Sequence, residues 1–190
     1  LAKICPPKNR SYSWTMAFVR VHPPIQVDEL TIREYSMADV NQFHESVLAN
    51  REYLVPWLAD WIKAEPLTIS KRREIFQEWV DTYPTKSNPL GIFIGETFVG
   101  STGLADEGNP SEVEIGYWVD ERHQGKAIAS RVATSLSNWA LTQPGIDCVV
   151  LLHKVGNDKS YRVAEKSGFT LTDSVAECGR TPALRWTKTK

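Results

Sequence analysis

Residues 114–132 read EIGYWVDERHQGKAIASRV. The apolar alternation of Ile115, Tyr117 and Val119 stops at charged residues, and a helical spacing begins beyond Gly125, so the stretch predicts a strand, a turn and a helix in direct succession. Ile128, Val132, Leu136 and Trp139 follow at steps of four, four and three, which stack on one helix face. At such a junction the first helical turn carries free amide N–H groups and the positive end of the helix dipole, and both attract anions. Gly125 lets the backbone approach a ligand without a Cβ, Ala127 keeps the helix entrance small, and Arg122 and Lys126 add positive charge. Alone, this RxxGxA pattern is also what a plain capped turn would show. It satisfies neither GxGxxG nor GxxxxGK[ST], so the usual markers of dinucleotide and P-loop sites are missing.

Working outward, LGIFIGETFVGSTGL (90–104) reads as two strands around a turn at Gly95-Glu96-Thr97, with VEIGYWV (113–119) as a third strand beside them. Downstream, DCVVLLHK (147–154) is a continuous apolar strand of the kind covered on both faces. A helix over DKSYRVAEKSG (158–168) ends at Gly168, and FTLTDSVAE (169–177) and ALRWTKT (183–189) read as closing strands. Near the start, ELTIREY (29–35) alternates like a strand. A helix over VNQFHESVLANREYL (40–54) is expected to end at Pro56, and SKRREIFQEWVDTY (70–83) predicts a second helix. This order predicts an α/β (α+β) domain, a mixed sheet with helices on its faces, spanning residues 29–190. Residues 1–28, with Pro6, Pro7, Pro23 and Pro24, read as an N-terminal arm.

The chain has 190 residues, 42% of them hydrophobic, enough for one domain with a core. A formal net charge of -1 argues against direct nucleic-acid binding, which draws on a basic face. Cys5, Cys148 and Cys178 are odd in number and form no CxxC, so neither a disulfide framework nor a structural zinc site is indicated, and a reducing cytoplasm fits. His22, His44, His123 and His153 show no ligand spacing, so no metal is expected. No apolar run is long enough to span a bilayer, and no membrane partner is expected. The start on Leu1 reads as a trimmed or processed beginning, or as a piece of something longer.

A second cluster, GNDKSYRVAEKSGF (156–169), stands straight after the apolar strand. Together with VEIGYWVDERHQGKAIA (113–129), it resembles the GNAT acetyltransferase superfamily, and more narrowly its RimJ/RimL branch, which acetylates N-terminal amines of ribosomal proteins. The resemblance covers residues 29–186 and is strongest over 112–170. It implies a mostly antiparallel mixed sheet whose central strands, EIGYWV and CVVLLH, splay apart. It implies acetyl-CoA as co-substrate, its diphosphate held by main-chain amides of Gln124, Gly125, Lys126, Ala127 and Ile128, with Arg122 contributing charge. The pantetheine arm would pair with the strand edge at Trp118 and Val119 and receive a hydrogen bond from Asn157. Many members carry an acidic Tyr seven residues after this Asn, but Ala164 stands there. The resemblance instead assigns protonation of the leaving thiolate to Ser160, a residue that could equally be a helix cap, as could Asp158.

Glu112 and Glu114 share a strand face with Gly116 and Trp118. If that strand is central, desolvation makes Glu114 more basic and suits it to general-base work; if the face is solvated, both acids are surface residues. Spacing leaves the choice open, and the resemblance favours Glu114 acting through a water. REYLVPWLADW (51–61) lies where relatives wall the acceptor site, which makes Tyr53 and Trp57 candidate acceptor contacts, although aromatic stripes also build cores. The expected reaction is direct acetyl transfer from acetyl-CoA to a primary amine, with a protein or peptide α-amine first. A small-molecule amine, as in antibiotic resistance or detoxification, and a non-catalytic acyl-CoA-binding domain of a larger protein are the alternatives. The resemblance also admits a homodimer.

Overall fold

The computed structural model describes residues 21, 24–81, 87–106, 108–178 and 181–190, with side chains for all of these but 173–181. In chain order the elements are β1 (Ile25–Val27), β2 (Leu30–Glu34), α1 (Val40–Ala49), α2 (Arg51–Ala64), α3 (Ile69–Asp81), β3 (Ser87–Ile94), β4 (Thr97–Asp106), β5 (Glu112–Val119), α4 (Ile128–Leu141), β6 (Cys148–Lys154), α5 (Asp158–Lys166), β7 (Thr170–Cys178) and β8 (Thr181–Thr189). Eight strands form one sheet in the order β1-β2-β3-β4-β5-β6-β8-β7. Each neighbouring pair is antiparallel except β5 and β6, which run parallel because α4 carries the chain across one face of the sheet between them.

Alternation along each strand feeds two separate cores. Ile115 and Val119 of β5 join Ile128, Val132, Leu136 and Ala140 of α4 in a cluster on one face. Trp118 turns to the other face, where it meets Phe43 of α1, Leu54 and Ile62 of α2 and Phe76 of α3. That second cluster is held largely by rings: Phe43, Phe76 and Trp79 surround Tyr35, and Trp118 packs edge-on to Phe98 at 5.7 Å. The guanidinium of Arg72, buried among them, ion-pairs with Glu65 and lies 4.8 Å from the centre of the Phe43 ring.

The sequence-derived order is found with three differences. Residues 25–27, within the region read as an arm, form β1 against β2, and Val21 is buried in the α4-side core. Residues 1–20 of that region lie outside the described residues. Pro56 does not end the first helical segment: that helix breaks at Asn50, and Pro56 sits inside α2. Proline removes one helical N–H there, and two residues later Leu58, with φ of -123° and ψ of 35°, puts a kink in a helix that then continues to Ala64.

The pairing of β5 with β6 stops at Ile115 opposite Leu151, although β5 continues to Val119 and β6 to Lys154. On its other side β5 stays paired with β4 as far as Val119 opposite Gly100. A Cβ at Gly100 would lie 2.4 Å from the Trp118 carbonyl oxygen and 3.0 Å from the Val119 Cα. Glycine is therefore what lets β4 hold the free half of β5 in place. Gly100→Ala is expected to lower stability by about 1–3 kcal/mol, the usual cost of overpacking, which thermal or denaturant unfolding will measure; an unchanged midpoint would refute the close approach.

Candidate active site

Where β5 and β6 part, a cavity of about 590 Å³ opens through the sheet. Tyr117, Trp118 and Val119 form one bank and Leu152, His153 and Lys154 the other. Tyr53 and Trp57 of α2, the turn before α4 and the first turns of α5 complete its lining.

The turn is built by left-handed backbone at two positions. Gly125 has φ +77° and Ala127 has φ +54°, the second an uncommon conformation for a residue with a Cβ. Left-handed residues interleaved in a turn direct successive N–H groups to one side, the kind of concavity that receives anions. Ala127 is also the N-cap of α4 and makes no side-chain cap hydrogen bond. The leading amides of a 14-residue helix thus start at the cavity, which Gly125, Ala127, Ile128, Ala129 and Ser130 line.

Asp120 fixes this turn to the body. Its carboxylate is fully buried and accepts from Ser46 Oγ at 2.6 Å, Arg122 N at 3.0 Å, Arg122 Nε at 2.9 Å and Arg122 Nη2 at 2.7 Å. Asn50, at the break between α1 and α2, accepts from Glu121 N at 2.7 Å and donates to Ser46 O at 2.8 Å. Burial pushes the Asp120 pKa up, but the hydrogen bonds from Arg122 and Ser46 outweigh it and hold the carboxyl well below the usual carboxylate range.

Of the residues singled out in the sequence, Tyr53, Trp57, Trp118, Val119, Gln124, Gly125, Ala127, Ile128, Asn157 and Ser160 all line the one cavity. Arg122, Lys126 and Glu114 are not among its lining residues. Arg122 is engaged by Asp120, and its side chain is otherwise largely exposed. Glu114 is buried, 1% exposed, one residue before the last β5–β6 pair, on the face that carries Trp118. Glu112 on the same face forms an ion pair with Arg185 at 2.8 Å, so the two acids have different surroundings. The N-cap of α5 is Asn157, whose Oδ1 accepts from Ser160 N at 3.1 Å; neither Asp158 nor the Ser160 hydroxyl fills that role.

Several lining residues have no role assigned to them by the sequence alone. Lys159, Arg162 and Lys166 stand at helical spacing on the cavity side of α5, and with Lys154 they face a single lining carboxylate among the described residues, Asp60. Lys159 bridges the cavity mouth, donating to Gln124 Oε1 at 3.0 Å while its ammonium lies 5.1 Å from the Tyr53 ring centre. His153 accepts from Trp186 Nε1 through Nε2 at 3.0 Å, and its Nδ1 lies 3.0 Å from the Lys154 carbonyl; burial lowers its pKa, so the ring is neutral. Tyr117 and His123 are further polar wall residues, and alternation along β5 with Glu114 and Trp118 turns Tyr117 to the α5 side. Cys148 is half-buried, and burial raises its thiol pKa, which does not favour a nucleophilic role. The side chain of Cys178, and Cys5 and His22 altogether, lie outside the described residues.

A sheet opened at a parallel pair, with an anion-attracting turn and an acid on opposite faces of the opened strand, defines a site for joining two substrates. Residues 29–170 match the Acetyltransferase (GNAT) domain, and the chain belongs to the GNAT acetyltransferase family. Its curated relatives include YdaF of Bacillus subtilis (strain 168), a candidate ribosomal N-acetyltransferase, 29% identical over 148 residues, which span 75% of this chain and 78% of that protein. Among solved structures, RimL, a ribosomal L7/L12 alpha-N-protein acetyltransferase in complex with coenzyme A, superposes with a TM-score of 0.76 at 23% identity, covering 87% of this chain and 97% of that one. The microcin C7 self-immunity acetyltransferase MccE, in complex with acetyl-CoA and AMP, has a TM-score of 0.74 at 20% identity, covering 86% and 93%. At these identities the two structures establish the shared fold.

The Asp120 node gives a pH-dependent prediction. Its folded pKa lies below the unfolded value of about 3.9, so its stabilisation is complete above that pH and is lost as pH falls through the folded value. Asp120→Asn is expected to cost about 2 kcal/mol near neutral pH, since charged hydrogen bonds are lost. The gap to the parent protein should narrow below about pH 4. Denaturant unfolding from pH 7 to pH 3 checks this, and a gap that stays constant with pH would exclude the ionised carboxylate as its source.

Proposed function

We propose that this chain transfers the acetyl group of acetyl-CoA directly to a primary amine, first of all the N-terminal α-amine of a protein or peptide. The observation that carries the reading is the uncapped start of α4, which opens with its left-handed turn into the gap between β5 and β6. An anion held there is placed so that an attached chain runs along the freed edge of β5. In this reading the amides of Gln124 to Ile128 bind the diphosphate and Lys126 adds charge, while Arg122, paired with Asp120, holds the turn that presents them. The pantetheine arm pairs with Trp118 and Val119, and the Asn157 side-chain amide reaches it while its oxygen caps α5. The names of YdaF and RimL support a ribosomal-protein amine as acceptor.

The two faces of β5 divide the chemistry. Glu114 belongs to the α1–α3 face and the turn and Ser160 to the α4–α5 side, so amine and thioester arrive from opposite sides of the gap. Glu114, which does not itself line the cavity, takes the amine proton through a water, as the resemblance to RimL-like proteins implies. The amine nitrogen attacks the acetyl carbonyl, backbone donors near Trp118 polarise that carbonyl, and the C–S bond breaks as Ser160 protonates the thiolate. An α-amine, with a pKa of about 8 against about 10.4 for a lysine, costs about 3 kcal/mol less to deprotonate and suits a carboxylate base. Tyr53 and Trp57 of α2 wall the acceptor end.

Calorimetric titration with acetyl-CoA tests the turn. A Cβ at Gly125 meets no atom within 4 Å, so Gly125→Asp places a charge in the anion site without a clash, and Gly125→Asn controls for the strain that a φ of +77° puts on any side chain there. Micromolar binding by the parent, weakened more than about tenfold in Gly125→Asp, is expected; equal binding by the parent and Gly125→Asp would refute the diphosphate assignment. With N-terminal peptides tried before small amines, thiol release should fall by on the order of 10²–10⁴ in Glu114→Gln, the usual loss on removing a general base. A variant that turns over at the parent rate would remove Glu114 from the mechanism, and turnover with small amines alone would reassign the acceptor.

A further inference from the structure

The hydroxyl of Tyr117 is out of place by the ordinary rules of a protein interior. Its oxygen is buried, it has no hydrogen-bond partner among the described residues, and it belongs to a wall of the cavity. A buried donor left unmade is a standing cost to the fold, and removing it would be neutral or favourable if packing were the only concern. The ring needs no hydroxyl to pack, since it lies against the aliphatic cluster on the α4 face. Strand alternation turns Tyr117 toward α5, where the side chain of Ser160, a lining residue of the same cavity, approaches its hydroxyl without the geometry of a hydrogen bond. Tyr53 of α2 stands near both.

We infer that Tyr117 is a positioning residue for the acid step, its phenol O–H donating to Ser160 Oγ and so orienting the serine proton toward the departing sulfur. The inference rests on the reading of Ser160 as the acid. A serine hydroxyl rotates freely and is a weak acid; a fixed donor on its oxygen selects one rotamer and stabilises the negative charge that builds there as the proton leaves. In the step itself the C–S bond breaks, its electron pair goes to sulfur, and sulfur takes the Ser160 proton. The Ser160 oxygen, held by the Tyr117 O–H, regains a proton from water in the cavity, and the proton lost by the amine leaves through Glu114. Tyr117 keeps its own proton throughout: burial raises the phenol pKa, and the favourable contact with Ser160 only partly offsets this.

The test is a mutant cycle of Tyr117→Phe and Ser160→Ala, read by thiol release from acetyl-CoA with a free-amine peptide as acceptor, together with thermal unfolding. Tyr117→Phe is expected to lower kcat by about tenfold or more, the scale of a proton-transfer contribution, with the KM for acetyl-CoA little changed and the melting temperature equal or higher. In the Ser160→Ala background the same change should add nothing, because the two side chains act as one unit. Full turnover by Tyr117→Phe beside a slow Ser160→Ala overturns the inference and leaves the serine acid standing. Losses that multiply in the double variant overturn it as well, by making Tyr117 act on the sulfur directly. Full turnover by Ser160→Ala removes the serine acid and the inference with it, and a lowered melting temperature in Tyr117→Phe would make the hydroxyl structural.

Discussion

Everything at the site depends on the backbone ladder between β5 and β6 ending at Ile115 and Leu151 while both strands continue. Paired strands stand about 4.8 Å apart and leave no room for a substrate between them, so a site that passes through a sheet requires a stretch of ladder to be left open. Opening it strands peptide groups that would otherwise be bonded. Those of β5 remain paired to β4 on one side and face the cavity on the other, where a ligand backbone of amides can complete them. The parallel direction matters too, because the crossover that parallel strands require is α4, and the start of α4 lands beside the opening.

Two fastenings keep the opened strand in register. On the β4 side the absence of a Cβ at Gly100 permits the close approach to Trp118. At the far end the buried Asp120 carboxylate gathers Ser46 of α1 and the backbone and side chain of Arg122. The strand, the turn and α1 are thereby tied at one polar point, which explains how a turn with two left-handed residues keeps a fixed shape.

Much of this was legible in the sequence, and the reasons differ by residue. The α4 stripe, the alternation of β5 and the Gly125 turn are local patterns, and each was read from spacing alone. The resemblance to the GNAT family added the splay and the grouping of Asn157 and Ser160 with the turn. What escaped was set by tertiary partners. Pro56 reads as a helix end because its local effect is to break one, yet packing of Leu54 and Ile62 into the ring cluster carries α2 through it as a kink. Arg122 reads as a free cation, and only the fold reveals Asp120 as its partner. Tyr117 looked like one more apolar wall residue, since burial of a hydroxyl without a partner leaves no mark on a sequence.

The kink in α2 carries a consequence for how such a protein can change its diet. A straight helix over residues 51–64 would move as one rod, and any shift at its cavity end would be transmitted into the ring cluster. The joint at Leu58 divides it into two short arms. Lys154, bonded to the Pro56 carbonyl at 2.9 Å, moors the first arm to the tip of β6. On that arm Leu54 is held by the ring cluster and Tyr53 lies against Lys159, whereas Trp57 lines the cavity outside the cluster and can be exchanged with little effect on the core behind it. Selection can widen or narrow that part of the cavity wall while the turn before α4 stays as it is.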